Sequence, residues 1–308
     1  MSFSSDTKTQ LATLEVSKKC CKRSLLAGML MFSNIFQADK LKLITENENV
    51  AELYKSLLSE LYSITTNEYI TEKHTSPDDE KRPYKSYKIT AVSARQLKPL
   101  KELNPPGVPS CYRVNHDIFE CENCRKSFIR GAFLASGTVS DPASSYHLEI
   151  YTPYINLSKD VLSVLEHIKL PARQTVRGSA VVLYYKDSEM IIDFLNTIGA
   201  NNAAFKMMDR KIFKEYRNKV NRVVNFETAN IGKAVAASKE AIEAIEYLEQ
   251  MGILRDLDDD LQRTAKARVE FPELSLAELS KTLNPPVSKS GLSHRLKKLI
   301  NIAKEKKG

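Results

Sequence analysis

Two hydrophobic periods share the first two hundred residues. Stretches 41–45, 68–72, 87–92, 146–151, 174–177 and 180–185 are rich in Tyr, Ile, Val and Thr, and period-two alternation among them predicts strands. Between them, at 50–61, 94–103, 159–168 and 188–198, apolar residues return every three or four positions, as on one face of a helix. Beyond residue 205 only the helical period persists. The pattern predicts an α+β N-terminal domain over 1–205, a helical linker over 206–227 and an all-α domain over 228–308.

The first part is internally repeated. Cys21-Lys22-Arg23-Ser24-Leu25-Leu26-Ala27-Gly28-Met29-Leu30-Met31-Phe32-Ser33-Asn34 returns in kind as Cys124-Arg125-Lys126-Ser127-Phe128-Ile129-Arg130-Gly131-Ala132-Phe133-Leu134-Ala135-Ser136-Gly137. Each copy precedes the same succession of strand and helix patterns, so repeats at about 20–104 and 123–200 predict a pseudo-two-fold αββαββα domain with one continuous sheet. Glycine inside a helix costs ~1 kcal/mol against alanine. Its recurrence at Gly28 and Gly131 predicts two helices packed backbone to backbone.

These two segments resemble the LAGLIDADG motif of homing endonucleases. In that family the paired helices form the central interface, an acid at the eighth motif position of each holds the divalent metals that cut DNA, and the flanking sheets form a saddle on the duplex. Here the eighth positions are Ser33 and Ser136. A neutral hydroxyl is a poor ligand for a hard dication, and two-metal hydrolysis needs anionic ligands to hold its ions together. The nearest acids, Asp39 and Asp141, fall beyond the motif ends. The resemblance with this departure therefore implies the fold without the catalysis, with no catalytic residues, no metal and no cofactor; the alternatives are an active LAGLIDADG homing endonuclease or maturase, or a protein-interaction module with incidental DNA contact.

Within the linker, Lys206, Arg210, Lys211, Lys214, Arg217, Lys219 and Arg222 outnumber the acids, while Ile212, Phe213, Tyr216, Val220 and Val223 keep a helical period. A basic amphipathic helix is predicted, with Arg210, Lys211, Lys214 and Arg217 as candidate phosphate contacts; a solvated connector is the alternative. A helix opened by Ser238 is predicted over 241–251, with Gly252 ending it, and another over 261–271, stopped near Pro272.

From Ser275 to Lys307 the spacing is that of a helix-turn-helix. Ser275 caps a short helix presenting Leu276, Leu279 and Leu283; Asn284-Pro285-Pro286 breaks it, Val287 fills the corner, and Ser288 caps a last helix that buries Leu292, Leu296, Leu299 and Ile300. The opposite face carries Ser288, Lys289, Ser290, Ser293, His294, Arg295, Lys297 and Lys298. The N-terminal part of such a helix reaches base edges in a major groove. Lys289, Ser290, Ser293 and His294 are thus candidate base readers, and Arg295, Lys297 and Lys298 candidate phosphate contacts. The last lysines also suit a helix C-terminus without any ligand.

Composition agrees with this picture. The chain has 308 residues, 42% apolar and 27% charged, an ordinary globular balance, and its net charge of +8 favours a polyanionic partner such as double-stranded DNA. The start lacks a signal-peptide pattern and the apolar stretch 25–36 is too short for a bilayer span, so a cytoplasmic, nucleoid-associated protein is expected. Five cysteines, an odd number, argue against a disulfide framework. Cys121-x-x-Cys124 has metal-ligand spacing, but zinc takes four ligands. The adjacent Cys20 and Cys21 make a poor second half-site, and Cys111 and His116 lie nearer in sequence. Structural or incidental thiols are the preferred reading.

Taken with the C-terminal domain, the degenerate repeat is similar to the WhiA family of sporulation and cell-division regulators. Beyond the second motif, the likeness is carried by Asp141-Pro142, Tyr146-His147-Leu148-Glu149-Ile150 and Asn284-Pro285-Pro286-Val287-Ser288-Lys289-Ser290-Gly291-Leu292-Ser293-His294-Arg295-Leu296. The resemblance implies a sequence-specific transcription factor that also affects division or chromosome segregation and has protein partners in transcription or division.

Overall fold

The computed structural model describes residues 2–73, 84–103 and 112–307. Two compact units divide the chain, Met1–Lys214 and Glu215–Gly308.

The first unit opens on a helix absent from the sequence reading, α1 (Phe3–Ala12), capped by the Ser2 hydroxyl and seated through the buried Leu11. The first repeat follows as α2 (Lys19–Met31), β1 (Ile35–Phe36), β2 (Lys40–Thr45), α3 (Glu48–Tyr62), β3 (Asn67–Lys73), β4 (Tyr84–Val92) and α4 (Ala94–Leu97), which runs into a 3-10 turn. The second repeat is α5 (Glu122–Ser136), β5 (Gly137–Val139), β6 (Leu148–Thr152), α6 (Ile155–His167), β7 (Arg173–Arg177), β8 (Ala180–Tyr185) and α7 (Ser188–Ile198). The αββαββα succession thus occurs twice. The continuous sheet does not: two antiparallel sheets form, in the orders β1-β2-β4-β3 and β5-β6-β8-β7. The strands at one edge of each, β1 and β5, have two and three residues and offer few groups to a further ladder.

The repeat's glycines explain the centre of this unit. A Cβ on Gly28 would stand 2.1 Å from the Phe128 carbonyl oxygen, and one on Gly131 would stand 2.1 Å from that of Leu25. The helices α2 and α5 therefore cross at their glycines with the backbones in contact. Every residue from Ser24 to Met31 is buried, as a helix enclosed on all sides requires.

The helix α8 (Asn201–Gln250) crosses the boundary between units without interruption. No helix begins at Ser238: its hydroxyl donates to the Pro272 carbonyl and accepts from Arg268 instead of capping. Gly252, at φ 74°, ends the helix as expected. The second unit continues with α9 (Asp259–Glu270), α10 (Leu276–Thr282) and α11 (Lys289–Lys307). Its core joins Ala241, Ile245 and Leu248 of α8 to Leu261 and Ala265 of α9, Leu279 of α10, and Leu292, Leu296 and Leu299 of α11.

Arg268 organises the approach to α10. It is 2% exposed, and its guanidinium donates to Ser238 Oγ and to the carbonyls of Pro272 and Leu274 at 3.0–3.2 Å. Truncation would empty the space of a buried side chain and take the guanidinium donor from the Leu274 carbonyl and from the buried Ser238 Oγ, while the Pro272 carbonyl would keep its bond from Ser238. Arg268→Ala is expected to destabilise the second unit by about 2–4 kcal/mol, measured as an earlier thermal transition of that unit in calorimetry.

Candidate nucleic-acid interface

The short helix α10 starts from a reciprocal cap: the Ser275 hydroxyl accepts from Glu278 N, and the Glu278 carboxylate accepts from Ser275 N. These bonds hold the Glu278 carboxyl below its ordinary range. The chain then turns through 283–288. Val287 donates its N–H to the Ser280 carbonyl and packs against the core, and Arg263 of α9 donates to the Asn284 carbonyl. Ser288 Oγ accepts from Gly291 N, and its carbonyl accepts from Leu292 N, so it opens α11 as its sequence position suggested.

Leu292, Leu296, Leu299 and Ala303 make the buried stripe of α11. Lys289, Ser290, His294, Lys297 and Lys298 are exposed, and Ser293 is half-buried. Lys289, Ser293 and Lys297 fall four residues apart on one line; Ser290, His294 and Lys298 fall on the next. Over its whole length α11 carries Lys289, Arg295, Lys297, Lys298, Lys304, Lys306 and Lys307 against one acid, Glu305.

Not all of these cations face open solvent. Arg295 is half-buried and donates to Asp260 Oδ2 at 2.6 Å, while Asp260 Oδ1 accepts from Arg263 at 2.7 Å. Arg295 therefore joins α11 to α9 through Asp260. Lys298 lies 3.6 Å from Asp258. The run Asp258-Asp259-Asp260 is the sequence signal for this clamp, and it neutralises one flank of α11. Lys289 and Lys297 have no ion pair among the described residues.

The linker candidates divide in the same way. Arg210 and Arg217 are exposed on α8. Lys211 pairs with Glu189 at 2.6 Å. Lys214 donates to the Pro142 carbonyl at 2.8 Å and lies over the Tyr146 ring. Both lysines have partners within the first unit. Ile212, Phe213, Tyr216, Val220 and Val223 lie on the helix as predicted, yet all are exposed.

At the motif ends, Ser33 Oγ donates to the Leu30 carbonyl at 2.7 Å, and Ser136 Oγ lies 3.4 Å from the Ala132 carbonyl. Asp39 and Asp141 occupy exposed turns, and Asp141 Oδ1 accepts from Ala143 N. The nuclease metals would need carboxylates here. Two hydroxyls facing their own helix carbonyls do not fit them.

A different group of ligand-type side chains does converge. The sulfurs of Cys20, Cys21, Cys121 and Cys124 all lie within 4.8 Å of one another. The pair Cys20 and Cys21 is thus the other half of the Cys121-x-x-Cys124 site, against the sequence reading. His116 is not among the four, and Cys111 lies outside the described residues.

Comparison with known proteins places both units. The model of the WhiA LAGLIDADG-like domain matches residues 125–217, and that of the WhiA C-terminal HTH domain matches residues 220–303. The chain is 35% identical to the "Probable cell division protein WhiA" of Alkaliphilus metalliredigens, over 100% of this chain and 99% of the relative. It is 36% identical to the protein of the same name from Ruminiclostridium cellulolyticum, over 98% and 97%. Its fold is that of the crystal structure of full-length DUF199/WhiA from Thermotoga maritima, with TM-score 0.61, 24% identity and 99% of each chain covered. With a glycine-crossed LAGLIDADG-like repeat, a helix-turn-helix and full-length identity of this order, the chain belongs to the WhiA family.

Proposed function

We propose that this protein is a non-enzymatic, sequence-specific DNA-binding regulator of transcription that acts in cell division and chromosome segregation, and in sporulation where its relatives sporulate. The observation that carries the reading is the face of α11. A helix anchored by Leu292, Leu296 and Leu299 presents Lys289, Ser290, His294 and Lys297 outward, with no acid between them. A major groove accepts such a helix, and its N-terminal side chains reach base edges. The names of the curated relatives supply the link to division. Ser33 and Ser136 support binding without cleavage, because neither can gather a hard dication. No described helix is long and apolar enough to cross a membrane, in keeping with a nucleoid-associated role. Partners in transcription or division belong to the same proposal.

The two flanks of α11 separate under mutation. Lys297→Ala is expected to weaken binding to all sequences alike and to flatten the dependence of affinity on salt by about one counterion. Arg295→Ala is expected to leave that slope nearly unchanged and to cost about 0–1 kcal/mol of stability, as a partly exposed ion pair does. Fluorescence anisotropy on fragments of the organism's own DNA, titrated with salt, distinguishes the two. Equal slopes for Arg295→Ala and Lys297→Ala would refute this division of roles.

A further inference from the structure

The proposed function leaves the four-cysteine cluster unused. Cys121 Sγ lies 3.5 Å from Cys21 Sγ, 3.5 Å from Cys124 Sγ and 3.8 Å from Cys20 Sγ. All four thiols are free. Four sulfurs bound tetrahedrally at about 2.3 Å from a zinc ion stand about 3.8 Å from each other. The three separations from Cys121 lie within about 0.3 Å of that edge length, and no pair of the four sulfurs is more than 4.8 Å apart. Cys21 and Cys124 are buried, and Cys20 and Cys121 are half-buried, so the four would enclose an ion and leave no open position for a substrate.

We propose that Cys20, Cys21, Cys121 and Cys124 form a structural zinc site that pins together the N-terminal ends of the two repeat helices. The surroundings suit the charge of such a centre. Four thiolates around a dication carry an excess of two negative charges. Both halves sit at helix N-termini, where the backbone dipole is positive: Cys20 and Cys21 in the first turn of α2, Cys121 at the cap of α5 and Cys124 in its first turn. Lys18, Lys126 and Arg130 line the pocket beside Cys21. The site also has a mechanical sense. The helices α2 and α5 touch at Gly28 and Gly131, about two to three turns further along each. A shared ion at their N-terminal ends would fix the angle at which they cross, and with it the placement of the two sheets. Binding would release the thiol protons, so occupancy would rise with pH.

The test uses the full chain, purified under reducing conditions, stripped of metal and reloaded with zinc alone. Elemental analysis should give about one zinc per chain. Cobalt in its place should show the thiolate charge-transfer and tetrahedral d–d absorption of a four-sulfur set. Cys20→Ser and Cys121→Ser, both at half-buried positions, should lose that stoichiometry while retaining native helicity by circular dichroism. Cys111→Ser should keep it. Zinc reloading should raise the thermal midpoint of the wild type and leave that of Cys121→Ser unmoved. The assignment is overturned if the folded, reduced wild type takes up no zinc, if Cys20→Ser and Cys121→Ser bind zinc as well as the wild type, or if Cys111→Ser loses it.

Discussion

Gly131→Ala should destabilise the N-terminal unit by about 1–3 kcal/mol or more, and Gly28→Ala should do the same. The sign is not obvious from propensity, because alanine in place of glycine favours a helix by ~1 kcal/mol. Geometry decides it. The new methyl would meet a carbonyl oxygen of the facing helix at 2.1 Å and a backbone nitrogen at 2.9 Å. These are backbone atoms of a fully enclosed helix, not the tip of a side chain that could swing away. Relief requires α2 and α5 to separate, which would loosen the contacts of Leu25, Met29, Phe128 and Ala132, all buried. Gly232 is the internal control. A Cβ there has no atom within 4 Å, so Gly232→Ala should be neutral or stabilising by up to ~1 kcal/mol. Urea unfolding followed by circular dichroism reads all three variants. Equal midpoints for Gly131→Ala and Gly232→Ala would remove the backbone contact from this account.

The second large effect concerns binding. Lys289→Ala and His294→Ala are each expected to cost about 1–3 kcal/mol on a preferred DNA site and to narrow the gap between that site and unrelated sequence. Both side chains are exposed near the start of α11, on adjacent lines of one face, where a docked helix meets base edges. Neither belongs to the buried stripe, so stability should change by no more than about 0.5 kcal/mol. Anisotropy titrations against a selected site and a scrambled one separate loss of affinity from loss of specificity. A uniform loss on both sequences would reassign the two residues to phosphate contact.

The parts legible in sequence were those fixed by local physics. Alternation marked the strands, Ser275 marked the start of α10, and Gly252 marked the end of α8. The glycine pair was legible because a repeated penalty at one helical position needs a repeated reason. The parts missed depended on tertiary neighbours. The first helix α1 buries little beyond Thr7, Leu11 and Ala12, too few to establish a period. Ser238 had the form of a cap, but its hydroxyl is taken by Pro272 and Arg268, thirty or so residues on in sequence. The partners of Arg295, Lys211 and Lys214, namely Asp260, Glu189 and the Pro142 carbonyl, were likewise not legible, because only the fold brings them near. The cysteines are the sharpest case. Adjacent helical residues point about 100° apart, so Cys20 and Cys21 looked unable to share an ion. They converge because the crossing of α2 and α5 places the N-terminus of one helix against that of the other.

The central claim is that the protein binds DNA through α11 and leaves the strands intact. The direct measurement incubates the full chain with end-labelled genomic fragments and magnesium, then scores each sample for retention on a native gel and for strand breaks on a denaturing one. This account predicts salt-sensitive retention that Lys289→Ala with His294→Ala abolishes for specific fragments, and unbroken strands throughout. Magnesium-dependent nicks, or specific retention undiminished in the double variant, would contradict it.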